Sequence, residues 1–134
     1  MSEANEVKDG RRYTRDHEWA KKADGELVVG ITAFAVSQLG EITLVNYDVK
    51  VGASVQAGQV FGTIESVKTL SDLFAPVSGT VHRLNTDLEA SPELVNQDCW
   101  DKGWMIAIVP ASPDADKSLL DAAAYRSHIA TLEG

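Results

Sequence analysis

One lysine, Lys68, stands between two runs that suit β-strands. Val60-Phe61-Gly62-Thr63-Ile64 precedes it, and Leu70 through Val77 follows it. Both runs carry the β-branched and aromatic residues that fit a pleated surface. Glu65, Ser66, Thr69, Ser71 and Asp72, around the lysine, are short and polar or charged. The pattern predicts a β-hairpin that presents Lys68 at or near its tip. Most lysines so placed are only solvated charges. An amine on a rigid turn can also be acylated, which removes its charge and attaches a long arm. A nucleophilic or Schiff-base lysine needs a desolvated or electropositive pocket. The acidic neighbours Glu65 and Asp72 work in the opposite direction. This lysine is suited to carrying a group rather than to attacking one.

Glu65-Ser66-Val67-Lys68, followed by Ser71-Asp72 and Ala75-Pro76-Val77-Ser78-Gly79, resembles the lipoyl-attachment segment of glycine cleavage system H proteins. Gly52 lies sixteen residues before the lysine and Gly79 eleven after it, near the glycine spacing of lipoyl and biotinyl carriers. Biotinyl domains usually flank the lysine with methionines, where this chain has Val67 and Thr69. Lipoyl domains of dehydrogenase complexes usually place Asp before it and Ala after it, and neither is present. The resemblance implies lipoate in amide linkage to Lys68, with Glu65, Ser66, Val67 and Asp72 around it. It also covers Tyr13-Thr14 and His17-Glu18-Trp19, similar to the opening of H proteins. By position it implies that Asp16, His17 and Glu18 line one wall of a cleft for the loaded arm, with Asp72 facing it. Carboxylates there would hold a cationic aminomethyl amine by charge-assisted hydrogen bonds. Without the resemblance, His17 beside Glu18 says little: His82 and His128 are distant in sequence, and no metal-ligand spacing exists.

The chain has 134 residues, enough for one domain with a real core. Its net charge of −8 argues against nucleic acid and anionic membrane surfaces as partners. A single cysteine, Cys99, permits no internal disulfide, which suits a reducing compartment. Asp98 and Asp101 beside it disfavour a reactive thiolate. No apolar run reaches membrane-spanning length. The first ten residues resemble neither a secretory signal nor a transit peptide. The expected location is the cytoplasm.

The expected fold is mainly β: a lipoyl-domain-like flattened sandwich, or barrel-sandwich hybrid, whose topology comes from the resemblance. Residues 1–11 are expected to form a flexible tail and 12–134 a single lipoyl-carrier domain of H-protein type. Ala23-Asp24-Gly25-Glu26 reads as a hairpin turn, followed by a strand at 27–31. Thr32 caps a short helix near 32–39 that ends at Gly40. A strand follows at 42–45, then a loop from which Val51 and Val55 turn inward. The segments 49–64 and 70–84 form two similar halves about the lysine. A helical turn at 91–95 and a strand at 105–109 follow. Two helices near 113–120 and 121–131 present Leu119, Leu120, Tyr125, Ile129 and Leu132 as a buried stripe. Asn46-Tyr47-Asp48 departs from the Glu-Leu-Pro usual in H proteins, and Cys99-Trp100 from Pro-Tyr.

These readings describe a carrier without catalysis of its own. The resemblance implies partners: glycine decarboxylase, aminomethyltransferase, dihydrolipoyl dehydrogenase and a lipoate-attaching enzyme. An alternative keeps the arm but serves a sulfur-oxidising, heterodisulfide-reductase-like complex or a lipoate relay. A third reading is an interaction domain whose Lys68 stays unmodified. An enzyme finds little support, because no Ser-His-Asp set, phosphate loop or metal cluster is legible.

Overall fold

Alternation of apolar and polar residues builds two antiparallel sheets in this computed structural model, which describes residues 6–133. The strands are β1 (Arg12–Tyr13), β2 (Glu18–Ala23), β3 (Glu26–Ile31), β4 (Ile42–Tyr47), β5 (Ser54–Val55), β6 (Val60–Ser66), β7 (Leu70–Phe74), β8 (Gly79–Leu84) and β9 (Ile106–Pro110). One sheet has the order β1-β2-β3-β9-β8-β5 and the other β4-β6-β7. The fold is therefore mainly β and two-layered, without a closed barrel among the described residues. The two strands before the tip and the two after it divide equally between the layers. β6 pairs with β7 in one sheet and β5 with β8 in the other.

The core lies between the sheets. Val29, Phe61, Met105, Ile106 and Ile108 are fully buried there, with Ile64, Leu73 and Val81 beside them. A second, aromatic cluster joins Tyr13, Trp19, Phe34, Trp100 and Tyr125. Tyr13 stacks on Tyr125 with ring centroids 4.6 Å apart. That contact docks helix α4 (Ala122–Glu133) onto the N-terminal strands.

Helix α1 (Ala33–Leu39) forms where expected. The Thr32 hydroxyl accepts the Ala35 N–H at its start, and Gly40 ends it. Two short helices, α2 (Asp87–Ala90) and α3 (Leu94–Gln97), precede β9.

Several expectations differ in detail. The outgoing strand of the hairpin stops at Phe74 rather than Val77. Near the C-terminus only a 3-10 turn at Ala115–Ser118 precedes α4. Tyr125 and Ile129 are buried, but Leu132 is 53% exposed because the last turn of α4 runs past the aromatic cluster. Val55 points inward, whereas Val51 is 61% exposed. The Ala53 N–H donates to Lys50 O, which closes a tight turn with Val51 at its corner. Residues 1–5 of the expected tail lie outside the described residues. From Glu6 onward the chain packs: Val7 is buried, and Glu6 accepts the Trp100 indole N–H at 2.9 Å.

Gly79 is fixed by close approach. A Cβ there would collide with the Val109 carbonyl oxygen and stand 3.0 Å from Pro110 Cα, both backbone atoms of the paired strand β9. We expect Gly79→Ala to cost about 2–3 kcal/mol by overpacking. Urea unfolding checks this through a lower midpoint with unchanged slope.

Candidate functional site

The β6–β7 hairpin is tight. Glu65 pairs with Leu70, and the Ser66 N–H donates to Thr69 O at 2.8 Å, leaving Val67 and Lys68 as the two loop residues. The Ser66 hydroxyl accepts the backbone N–H groups of Lys68 at 3.1 Å and Thr69 at 3.2 Å. This is the side-chain turn that serine favours at the first position. Val67 N–H donates outside the hairpin, to Glu41 O at 3.0 Å. Lys68 is exposed at the tip.

From that tip β7 runs into the wall of a cleft of about 170 Å³. Asp16, His17 and Glu18 line it from the N-terminal side, and Asp72 lines it from β7. Ile31, Ala35, Leu39, Ile64 and Leu73 give it an apolar floor. The structure therefore brings Asp16, His17, Glu18 and Asp72 together. Glu65, Ser66, Val67 and Lys68 stand outside the cleft, at the turn. A larger cleft of about 500 Å³ lies elsewhere, beside Arg12, Lys22, Asp116 and Arg126, and shares no residue with this site.

Glu18 is no surface carboxylate. It is 2% exposed, and both its oxygens are engaged. Oε1 accepts the Thr14 hydroxyl at 3.0 Å and Oε2 accepts the Phe74 N–H at 2.9 Å. Burial pushes its pKa up to about 8, against the two hydrogen bonds, which favour the anion. Asp72 and Asp16 are exposed.

His17 has a left-handed backbone, φ 71°, rare for a residue with a side chain. Its N–H donates to Thr14 O, and its carbonyl accepts the Thr32 N–H. Its Nδ1 lies 2.9 Å from the Tyr125 hydroxyl, which is also 2.7 Å from Thr32 Oγ1. The ring stacks 5.7 Å from His128. Burial chiefly, then the neighbouring His128, lowers the His17 pKa. Sequence reasoning missed Thr14, Tyr125 and His128 as supports of this wall. Thr14 lies four residues from Glu18, but nothing in the sequence links His17 to Tyr125 and His128, more than a hundred residues away. The period of α1 could have indicated Ala35 and Leu39, four residues apart on one helix face.

Cys99 is buried, and burial first and Asp98 second push its thiol up to about 12. It stays a thiol at neutral pH.

The site is thus an exposed lysine on a pinned β-turn, at one end of a strand that also lines a narrow cleft, in a two-layered, mainly β domain. The family model described as "Glycine cleavage H-protein" matches residues 11–132. Proteins named glycine cleavage system H protein include one from Anaeromyxobacter sp. (strain K), 45% identical over 92% of this chain and 96% of its own length. Another, from Mycobacterium avium (strain 104), is 49% identical over 85% of this chain and 89% of its own. A crystal structure of a glycine cleavage system H protein from Mycobacterium marinum superposes with a TM-score of 0.83 at 36% identity, covering 92% of this chain and 99% of that one. This chain belongs to the glycine cleavage H-protein family.

The raised pKa of Glu18 has a sign. A carboxyl whose folded pKa exceeds its unfolded value binds more protons when folded, so its contribution is full below pH ~4.5 and is lost as pH rises through about 8. We expect the stability of Glu18→Gln to fall less than that of the parent between pH 5 and 9. Thermal unfolding across that window, with both chains in matched buffers, measures the difference.

Proposed function

We propose that this chain is the lipoate-carrying shuttle of a glycine cleavage system, with the lipoyl group in amide linkage to Lys68 Nζ. The observation that supports it most is the single strand β7, which leads from an exposed amine on a pinned turn to the wall of a narrow cleft. The residues present suit such an arm. At about 170 Å³ the cleft is smaller than the ~300–1,000 Å³ of drug-sized ligand sites, so it admits a slim chain and no bulky substrate. When bound, the dithiolane supplies the sulfur that carries an aminomethyl group from a pyridoxal-phosphate glycine decarboxylase to a tetrahydrofolate-dependent aminomethyltransferase, and a dihydrolipoyl dehydrogenase restores the disulfide.

The residues of this chain hold, shelter and release. Ser66 and Glu41 fix the turn from which the arm starts. Ile31, Ala35, Leu39, Ile64 and Leu73 exclude water from the end that enters the cleft. Asp72 and Asp16 present negative charge to an entering ammonium. Glu18 lies in the same wall, and a cation beside it favours the ionised carboxylate. Tethering raises the local concentration of cargo at each partner without tight docking. Catalysis rests with the partners, and the expected location is the cytoplasm.

Intact mass and exchange test this reading together. Incubation with lipoate, ATP and a lipoate-attaching ligase is expected to add one lipoyl mass to the parent chain and none to Lys68→Arg. The loaded parent then supports glycine–bicarbonate exchange by glycine decarboxylase. Full loading without exchange would move the chain to the sulfur-oxidising or relay alternative. A chain that never accepts lipoate would be an interaction domain.

A further inference from the structure

We infer that the corner between α1 and β4, residues 40–42, is the seat of the Lys68 turn, and that Asn96 is the positioning residue that holds this seat. The inference rests on the reading of Lys68 as the attachment point.

The hairpin alone holds its tip imperfectly. Two-residue hairpin loops match the strand twist best when both central residues have positive φ. Neither Val67 nor Lys68 does. The tip is instead braced from outside, and both loop residues rest on the same corner. Val67 N–H donates to Glu41 O at 3.0 Å. The Lys68 stem lies along Gly40, where an added Cβ would stand 3.4 Å from Lys68 Cε and 3.7 Å from Cδ. Gly40 has φ 80° and ψ −147°, a conformation essentially restricted to glycine. Gly40 thus ends the helix and leaves a bare surface for the lysine stem.

The corner itself is held from its other side. Asn96 Nδ2 donates to Gly40 O at 2.9 Å, and Asn96 Oδ1 accepts the Ile42 N–H at 2.9 Å. These two bonds bracket Glu41 and so fix the direction of the carbonyl that receives Val67. Only an amide side chain supplies one donor and one acceptor in this arrangement; Asp lacks the donor and Ala lacks both. Asn96 is anchored because Val95, beside it in α3, is fully buried. Asn96 itself is exposed, so its removal leaves the core intact. An enzyme that modifies Lys68 must meet the amine in one place. A tip that wanders adds an ordering cost to each encounter.

The test uses the full chain as Asn96→Ala and Asn96→Asp. Lipoyl addition at Lys68 is followed by intact mass with lipoate, ATP and a lipoate-attaching ligase, and amide exchange is followed at Val67. We expect both variants to fold, to accept lipoate roughly three- to tenfold more slowly, and to exchange the Val67 N–H faster by a similar factor. Asp fails to rescue although it keeps the acceptor for Ile42. Parent-like lipoylation in both variants overturns the inference. So does slowed lipoylation with unchanged Val67 exchange, which would mean that Asn96 acts by touching the ligase. A parent chain that takes no lipoate overturns the carrier reading instead, and the seat as an attachment device falls with it.

Discussion

The bond from Phe74 N–H to the Glu18 carboxyl is the constraint on which the site depends. β7 is the outer strand of the three-stranded sheet and, among the described residues, pairs only with β6. Its far edge would ordinarily recruit another strand or be left to water. Here one buried side chain satisfies an edge donor at the base of the strand. Above that point no strand among the described residues closes the edge, and the gap between β7, residues 16–18 and α1 remains as the cleft. A backbone strand in place of Glu18 would seal the gap. A solvated edge without it would leave β7 free to drift from the N-terminal wall. The cost is a carboxyl held in an apolar setting, seen in its raised pKa.

The wall that carries Glu18 is supported in turn from the aromatic cluster. Thr14 holds the loop by accepting the N–H groups of Asp16 and Glu18, both at 3.2 Å. His17 is kept in its left-handed conformation by backbone bonds on both sides and by the Tyr125 hydroxyl. Tyr125 is fully buried against Tyr13. The C-terminal helix therefore contributes to the cleft from behind, through the Tyr125 hydroxyl and the His128 ring stacked on His17, without lining it.

The hairpin, its lysine and α1 were legible in the sequence because their signals are local. Strand residues flank short polar ones at 65–72, and Thr32 and Gly40 bracket a helical period. Long-range facts were not legible. The sequence shows that residue 18 is acidic, but not that Thr14 and Phe74 take both its oxygens. His17 and His128 stack although more than a hundred residues separate them. Val51 does not turn inward for a local reason: it stands in the turn at residues 50–53 that the Ala53 N–H closes on Lys50 O. Asn96 directly follows the helical turn expected at 91–95, yet its two backbone partners in the α1–β4 corner are visible only in the fold.

The departure at Asn46-Tyr47-Asp48 separates into two physical parts. Tyr47 turns toward the core, and its hydroxyl donates to Asn85 O at 2.9 Å. Burial raises its pKa, so it remains a neutral donor. This part of the departure concerns packing between β4 and the segment after β8. Asn46 is exposed and bonds Asp48 at 2.9 Å. The strand register places Asn46 opposite Thr63, and Thr63 opposite Asp72. Cross-strand partners project from the same side of a sheet, so Asn46 shares a row with the acid that lines the cleft. In the next row toward the tip, Leu44 and Leu70 flank Glu65, and both leucines are substantially exposed. The exposed half of the departure therefore lies on the face that carries Glu65 and Asp72, and the tyrosine on the face turned to the core.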